Sequence, residues 1–300
     1  MELILQPLIG LLRALRPKQW TKNAIIYAGL VFDGQLLIPD SFLRVTISFI
    51  LLCLTSGVIY VVNDLVDVES DRQHPKKRNR PIASGQLPIP LAVGAVIGLS
   101  VFCVGTALLY SPKFAIILIV YMALHVAYSL RIKRIVILDV LAITAGYVLR
   151  VAGGVVVIEV ARFSPWLYAC TAMLALFLAI GKRRQELLEL AEQAGDIRVT
   201  FKHYNLPLLD NMLQMSMIVT MISYILYTIE APSVLLAGSN LALLTVPFVL
   251  YAIFRYMYLI HVKGEGSAPE EVLLKDRPLQ ASMLLWGLTF VAILYLPNLR

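Results

Sequence analysis

Charge is what this sequence is short of. Of its 300 residues only 15% are Asp, Glu, Lys or Arg, where a soluble domain carries about 25%. With 59% hydrophobic residues and a mean hydropathy of +0.79, that shortage excludes a water-soluble globule and gives an all-α polytopic membrane protein. Cysteine is scarce as well. Cys53, Cys103 and Cys170 all lie in apolar stretches and none has a partner at metal-ligand spacing, so they read as ordinary buried cysteines and leave the redox compartment open. The first residues also lack a short hydrophobic core followed by a small-residue cleavage site, and no cleaved signal peptide is expected.

What charge there is, is concentrated. Residues 63–85, NDLVDVESDRQHPKKRNRPIASG, place four carboxylates and then five Lys/Arg side chains directly after some twenty apolar residues. Such a cluster is costly next to lipid unless it is solvated or paired, so it is read as the reactive centre. If the preceding helix continues through it, Asn63, Asp67 and Asp71 fall within about 80° of one another, with Asp64 beside them. Carboxylates one turn apart repel unless a cation sits among them, and an oxygen-only ligand set of Asn63, Asp64, Asp67 and Asp71 suits Mg²⁺. Magnesium held in this way keeps waters and takes the oxygens of a substrate phosphate. Arg72, Lys76, Lys77, Arg78 and Arg80 follow with the positive charge that a diphosphate needs.

Apolar spans are expected at roughly 23–38, 43–62, 90–110, 113–131, 135–158, 165–181, 212–229, 234–260 and 282–298, which makes nine transmembrane helices. Before them, Leu3, Leu5, Leu8, Leu11, Leu12 and Leu15 recur at helical spacing with Arg13, Arg16, Lys18 and Lys22 after them. Residues 1–22 therefore read as an interfacial amphipathic helix on an anionic leaflet, with Trp20 as an interface anchor. Twenty of the 26 Lys/Arg fall on the side of the N-terminus and four on the other. By the positive-inside rule the N-terminus and the loop 63–89 are cytoplasmic and the C-terminus is outside, in the cell (inner) membrane. The basic excess belongs to this orientation pattern, and no nucleic-acid partner is expected.

Other unusual chemistry lies in the same inner segments. Lys22 and Asn23 stand at the mouth of the first span, where they either mark the interface or face a central cavity. YSLRIKR supplies Tyr128 and Lys133, and Asp139 opens the fifth span, which carries Arg150. An arginine there needs a carboxylate partner or a water-filled cavity. GKRRQELLELAEQ opens a second cytoplasmic loop, 182–211, with Lys182, Arg183, Arg184 and Glu186 at its head. A positive-inside flank explains the basic triplet alone, and its clustering with Glu186 favours a site.

NDLVDVESD followed by DRQHPKKRNRPIASG resembles the first aspartate motif of the UbiA superfamily of intramembrane prenyltransferases, over essentially the whole chain. RPKQWTKN, LRVAGG, GKRRQEL and LLKDRPLQ are most similar to the decaprenyl-phosphate phosphoribosyltransferase subgroup. The resemblance implies a single UbiA-like domain over 1–300, with nine helices around a central cavity, and Mg²⁺ on the first motif. It also implies transfer of 5-phosphoribosyl from phosphoribosyl diphosphate to a polyprenyl (decaprenyl) phosphate, with a homo-oligomer open. In that reading Asp64, Asp67, Asp71, Lys77 and Arg80 do the chemistry. Lys22, Asn23, Asn63, Arg72, Tyr128, Lys133, Asp139, Arg150, Lys182, Arg183, Arg184 and Glu186 bind substrate. One departure keeps an alternative alive. Aromatic prenyltransferases carry a second Asp-rich motif after the sixth span, and here GKRRQEL stands in its place; the alternative is a UbiA-type enzyme moving a prenyl group from prenyl diphosphate to an aromatic or quinone-precursor acceptor.

Overall fold

Eight helices among the described residues are long and apolar enough to cross a bilayer, and those residues form no strand. The computed structural model describes residues 2–75, 77–158, 164–190, 199–230, 240–265, 272–273 and 275–295. Lys76, residues 191–198 of the second loop and the C-terminal residues 296–300 lie outside them. The chain divides into two compact units: Met1–Leu30, Ile38–Lys133 and Leu149–Glu159 form one, and Val31–Leu37, Arg134–Val148 and Val160–Arg300 the other.

The first unit is built on one helix. It contains α1 (Glu2–Ala14), a 3-10 segment Pro17–Tyr27, the start of α2 (Ala28–Phe32), α3 (Pro39–Val66), α4 (Val68–Gln73), α5 (Ile89–Tyr110) and α6 (Pro112–Leu130). The second half of α7 (Leu138–Val157) completes it. In its most apolar window α3 is 61% buried, against 17% for α5, so α3 is the axis on which the others pack. α5 and α6 form a tight hairpin, in which Ser111 Oγ accepts from the Phe114 amide and caps α6.

The expected first span, 23–38, takes a different form: eleven residues of 3-10 helix followed by the five of α2. Runs of 3-10 helix beyond three or four residues are uncommon, and packing holds this one. It runs antiparallel along α3. Leu15 presses on Gly57, where a Cβ would meet Leu15 Cδ2 at 2.8 Å; Asn23 Nδ2 donates to Ser56 Oγ at 2.9 Å and Tyr27 to Thr46 Oγ1 at 3.0 Å. At about 2.0 Å rise per residue the 3-10 segment covers ~22 Å and α2 adds ~7 Å, enough for the hydrocarbon layer. α7 approaches so closely that a Cβ on Gly154 would stand 1.9 Å from the Ile26 carbonyl oxygen, so only glycine fits there.

In the second unit, α8 (Pro165–Leu190), α9 (Leu206–Glu230), α10 (Val246–His261) and α11 (Arg277–Tyr295) pack with the first half of α7. The long pair α8 and α9 buries Phe177, Ile180, Leu209 and Leu213 together with Tyr256 and Leu259 of α10. Arg255, inside a span, has its partner in the late LLKDRPLQ stretch. Its Nε and Nη2 reach the two oxygens of Asp276 at 3.1 and 2.8 Å, and the same carboxylate accepts from the Leu279 amide to cap α11.

Candidate functional site

The acidic stretch does not continue α3 as one straight helix. Asp67 caps α3 with φ −96° and ψ 6°, and α4 restarts at Val68. The turn-by-turn hydrogen bonds nevertheless pass through the break, from the Asp67 amide to the Asn63 carbonyl at 3.0 Å and from the Asp71 amide to the Asp67 carbonyl at 2.8 Å. The spacing of the acidic residues is therefore kept while their directions spread.

Each of the three aspartates meets a cation. Asp64 Oδ1 accepts from Arg16 Nη2 at 2.6 Å and from Arg80 Nη1 at 3.1 Å. The same Arg80 nitrogen reaches Asp71 Oδ2 at 2.6 Å, which ties Asp64 to Asp71 through one guanidinium. Lys133 Nζ lies 2.6 and 2.8 Å from the two oxygens of Asp67. Like charges repel and these cations separate them, so among the described residues no three carboxylate, His or Cys side chains converge on one point. The expected face of four metal ligands is thus drawn instead as carboxylates alternating with basic side chains.

Among the described residues, two polar groups in the cluster still lack a hydrogen-bond partner. Asp64 is 2% exposed, and its Oδ2 accepts no hydrogen bond from the described residues, an arrangement that costs free energy for a buried carboxylate oxygen. The half-buried side-chain amide of Asn63 likewise has no hydrogen-bond partner among the described residues. An oxygen-only pair of this kind, with Asp67 and Asp71 one turn on, fits a hard dication such as Mg²⁺.

Around the centre, Lys77 is half-buried, and its ammonium has no ion-pair partner among the described residues. Arg72 turns outward to Glu69, both exposed. Lys22 and Tyr128 are half-buried. Asn23 and Arg150 belong together in the interior of the first unit. Arg150 Nε donates to Asn23 Oδ1 at 2.8 Å, and its Nη2 to the Tyr121 hydroxyl at 2.7 Å, with the guanidinium 5.1 Å above the same ring.

The second unit holds the remaining sequence-selected residues. Asp139 is fully buried; its Oδ2 accepts from Arg183 Nε at 3.1 Å and its Oδ1 from the Tyr204 hydroxyl at 2.8 Å. Arg183 Nη1 also reaches Glu186 at 2.7 Å, and Arg184 Nε reaches Asp210 at 2.5 Å. The Tyr204 hydroxyl in turn accepts from the amide of Ile137, a β-branched residue held at φ 69°. Of the basic triplet only Lys182 has no ion-pair partner among the described residues.

Sequence reasoning misses Arg16, Tyr121 and Tyr204. Arg16 does carry a signal, since it opens the RPKQWTKN motif, but its charge reads equally well as an attachment to the leaflet. Tyr121 and Tyr204 carry none, because one tyrosine in an apolar or polar run looks like any other.

Fold and site together define a polytopic helical membrane protein with a charge-alternating acidic centre suited to a phosphate ligand and a hard cation. The chain belongs to the UbiA prenyltransferase family, whose model matches residues 24–286. Among curated proteins it is 34% identical over 292 residues to a decaprenyl-phosphate phosphoribosyltransferase of Corynebacterium glutamicum, covering 96% of this chain and 87% of that one. A protein of the same name from Mycobacterium tuberculosis is 32% identical over 286 residues, 92% of this chain and 91% of its relative. Among solved structures, a UbiA homologue from Archaeoglobus fulgidus bound to DMAPP and Mg²⁺ superposes with a TM-score of 0.71 at 19% identity, over 95% of this chain and 98% of that one. That likeness shows the fold.

Proposed function

We propose that this protein transfers 5-phosphoribosyl from phosphoribosyl diphosphate to a polyprenyl phosphate and releases diphosphate. The observation that carries the reading is 32–34% identity, over more than nine-tenths of the chain, to relatives named for that activity. The site chemistry agrees with it. Asn63, Asp64, Asp67 and Asp71 would hold Mg²⁺, which when bound neutralises the leaving diphosphate. Lys77 and Arg80 add fixed positive charge beside it, and Arg80, already set between Asp64 and Asp71, is oriented for that task. The bond from C1 of the ribose to the diphosphate oxygen breaks, and an oxygen of the lipid phosphate forms the new bond to C1. The acceptor arrives as an anion, so no strong general base is needed. Lys22, Arg72 and Tyr128 remain candidates for the other phosphates, while Asn23 and Arg150 shape the interior of the first unit.

Purified protein incubated in detergent with Mg²⁺, phosphoribosyl diphosphate and polyprenyl phosphate should yield a lipid heavier by one phosphoribosyl group. If it instead prenylates an aromatic acid from a prenyl diphosphate and ignores the sugar donor, the alternative holds; its support is the fold shared with the DMAPP-bound homologue. A cytoplasmic sugar donor requires the acidic centre on the inner face of the cell membrane, an orientation that the distribution of basic residues supports. Ser84 is exposed in the loop before α5. In a background without Cys53, Cys103 and Cys170, Ser84→Cys should therefore react with an impermeant thiol reagent in inverted vesicles and stay unlabelled in intact cells. Labelling from outside would reverse the topology.

A further inference from the structure

We infer that Arg16 is a diphosphate-binding residue that reaches its ligand by exchanging partners: it holds Asp64 in the structure and passes to a phosphate oxygen as Asp64 takes the cation. The inference rests on the reading of the acidic centre as a metal and diphosphate site and deepens it. Three observations carry it. Arg16 immediately precedes the 3-10 segment, and its backbone is left-handed at φ 51° and ψ 62°, a conformation unfavourable for a residue with a Cβ. Its guanidinium is nevertheless placed firmly, 2.6 Å from Asp64 Oδ1 and 4.9 Å over the Tyr60 ring. And Asp64 directs only Oδ1 to its two arginines, leaving Oδ2 buried and without a donor among the described residues.

Counting charge then shows what must happen on binding. Asp64, Asp67 and Asp71 carry three negative charges, and Arg16, Arg80 and Lys133 return three positive ones. Carboxylates already matched by cations have little net attraction for a bare dication, which must compete with the three cations in place. A magnesium diphosphate is different, because it brings a cation for the carboxylates and anionic oxygens for the arginines at once. Every ionic bond broken is replaced by one of the same kind. Arg16 is well suited to that exchange, since its side chain is 28% exposed while that of Asp64 is 1% exposed, so the arginine can turn without unburying the carboxylate.

The consequence is a pair of shifts of opposite sign, which separates partner exchange from mere support. Removing the Arg16 charge should help the bare cation and harm the diphosphate. Mn²⁺ binding without any phosphate would be followed by loss of the free Mn²⁺ spin-resonance signal on the purified full chain. Radiolabelled inorganic diphosphate at saturating Mg²⁺ would be followed by equilibrium dialysis. Arg16→Gln, which keeps a Cβ and so the same backbone strain, should tighten Mn²⁺ about fivefold and weaken magnesium diphosphate about tenfold or more, the worth of one charge-assisted bond. Arg16→Lys should stay within about threefold of wild type in both, since it keeps the charge. If Arg16→Gln weakens both, Arg16 only supports the fold of the site; if it leaves diphosphate binding unchanged, Arg16 does not touch the diphosphate. Either result overturns the inference. Wild-type protein that binds neither Mn²⁺ nor magnesium diphosphate would instead overturn the reading of the acidic centre itself.

Discussion

Each unit of this protein contains a cluster of carboxylates and arginines, and the two clusters are finished to different degrees. In the second unit Asp139 is sealed from solvent, with a donor on each oxygen, Arg183 on one side and Tyr204 on the other. In the first unit Asp64 is also buried but doubly served on Oδ1 and, among the described residues, unserved on Oδ2, and Asp67 and Lys133 are both partly open to solvent. A fully satisfied buried network rigidifies, whereas one with an open valence invites a further ligand. The difference teaches where to look for chemistry: composition is similar in the two clusters, but among the described residues the buried carboxylate with an unspent oxygen is Asp64 and not Asp139.

The largest effect should come from removing that acceptor. Asp64→Asn keeps the shape of the side chain and an oxygen for Arg16 and Arg80 but puts an amide nitrogen where Oδ2 stands. The cation then has one anionic ligand fewer and the two arginines face a neutral oxygen, so turnover should fall at least about 100-fold. The melting temperature in detergent should change little. A variant that keeps wild-type turnover would remove the cation from this centre and with it the functional difference between the two clusters.

The complementary change is in the finished cluster. Arg183→Ala leaves Asp139 buried without its guanidinium, and breaking a buried pair from one side costs about 3–5 kcal/mol. In thermal unfolding that corresponds to a drop on the order of 10 °C. Adding Asp139→Asn to Arg183→Ala removes the stranded charge and should restore part of the loss. If Arg183→Ala instead melts like wild type and only raises KM for the sugar donor, the cluster is a phosphate site after all, as the basic triplet suggests from sequence.

Much of this is legible without the structure. The apolar runs fix an all-helical membrane protein because a helix satisfies its own backbone where water is absent, and the four-residue repeat of Asn63, Asp67 and Asp71 survives as hydrogen bonds through the α3–α4 break. What is not legible depends on neighbours far apart in the chain. The 3-10 form of the first span follows from Gly57, Gly154 and Ser56, which no local pattern links to residues 17–27. The pairing of Asp67 with Lys133 and of Asp139 with Arg183 likewise joins residues 66 and 44 positions apart. Charge spacing announces that these residues matter, but not which of them neutralise one another.

The smallest expected effect tests how finished the second cluster is, through Tyr204. Burial first and the neighbouring Asp139 second push its hydroxyl up to about 12, from about 10 in an unfolded chain. A folded-state value above the unfolded one means that the protonated form is favoured in the fold. Its contribution to stability is therefore fully present below about pH 10 and is lost as pH rises from there toward 12. Tyr204→Phe removes the donor to Asp139 Oδ1 and the acceptor for the Ile137 amide, so below pH 10 it should cost about 1–3 kcal/mol. Above pH 10 the wild type loses this same interaction, and the melting curves of the two proteins should draw together. Parallel melting temperatures for wild type and Tyr204→Phe from pH 8 to 11.5 would show that the hydroxyl does not donate to Asp139, and the contrast between a finished and an unfinished cluster would lose one of its two supports.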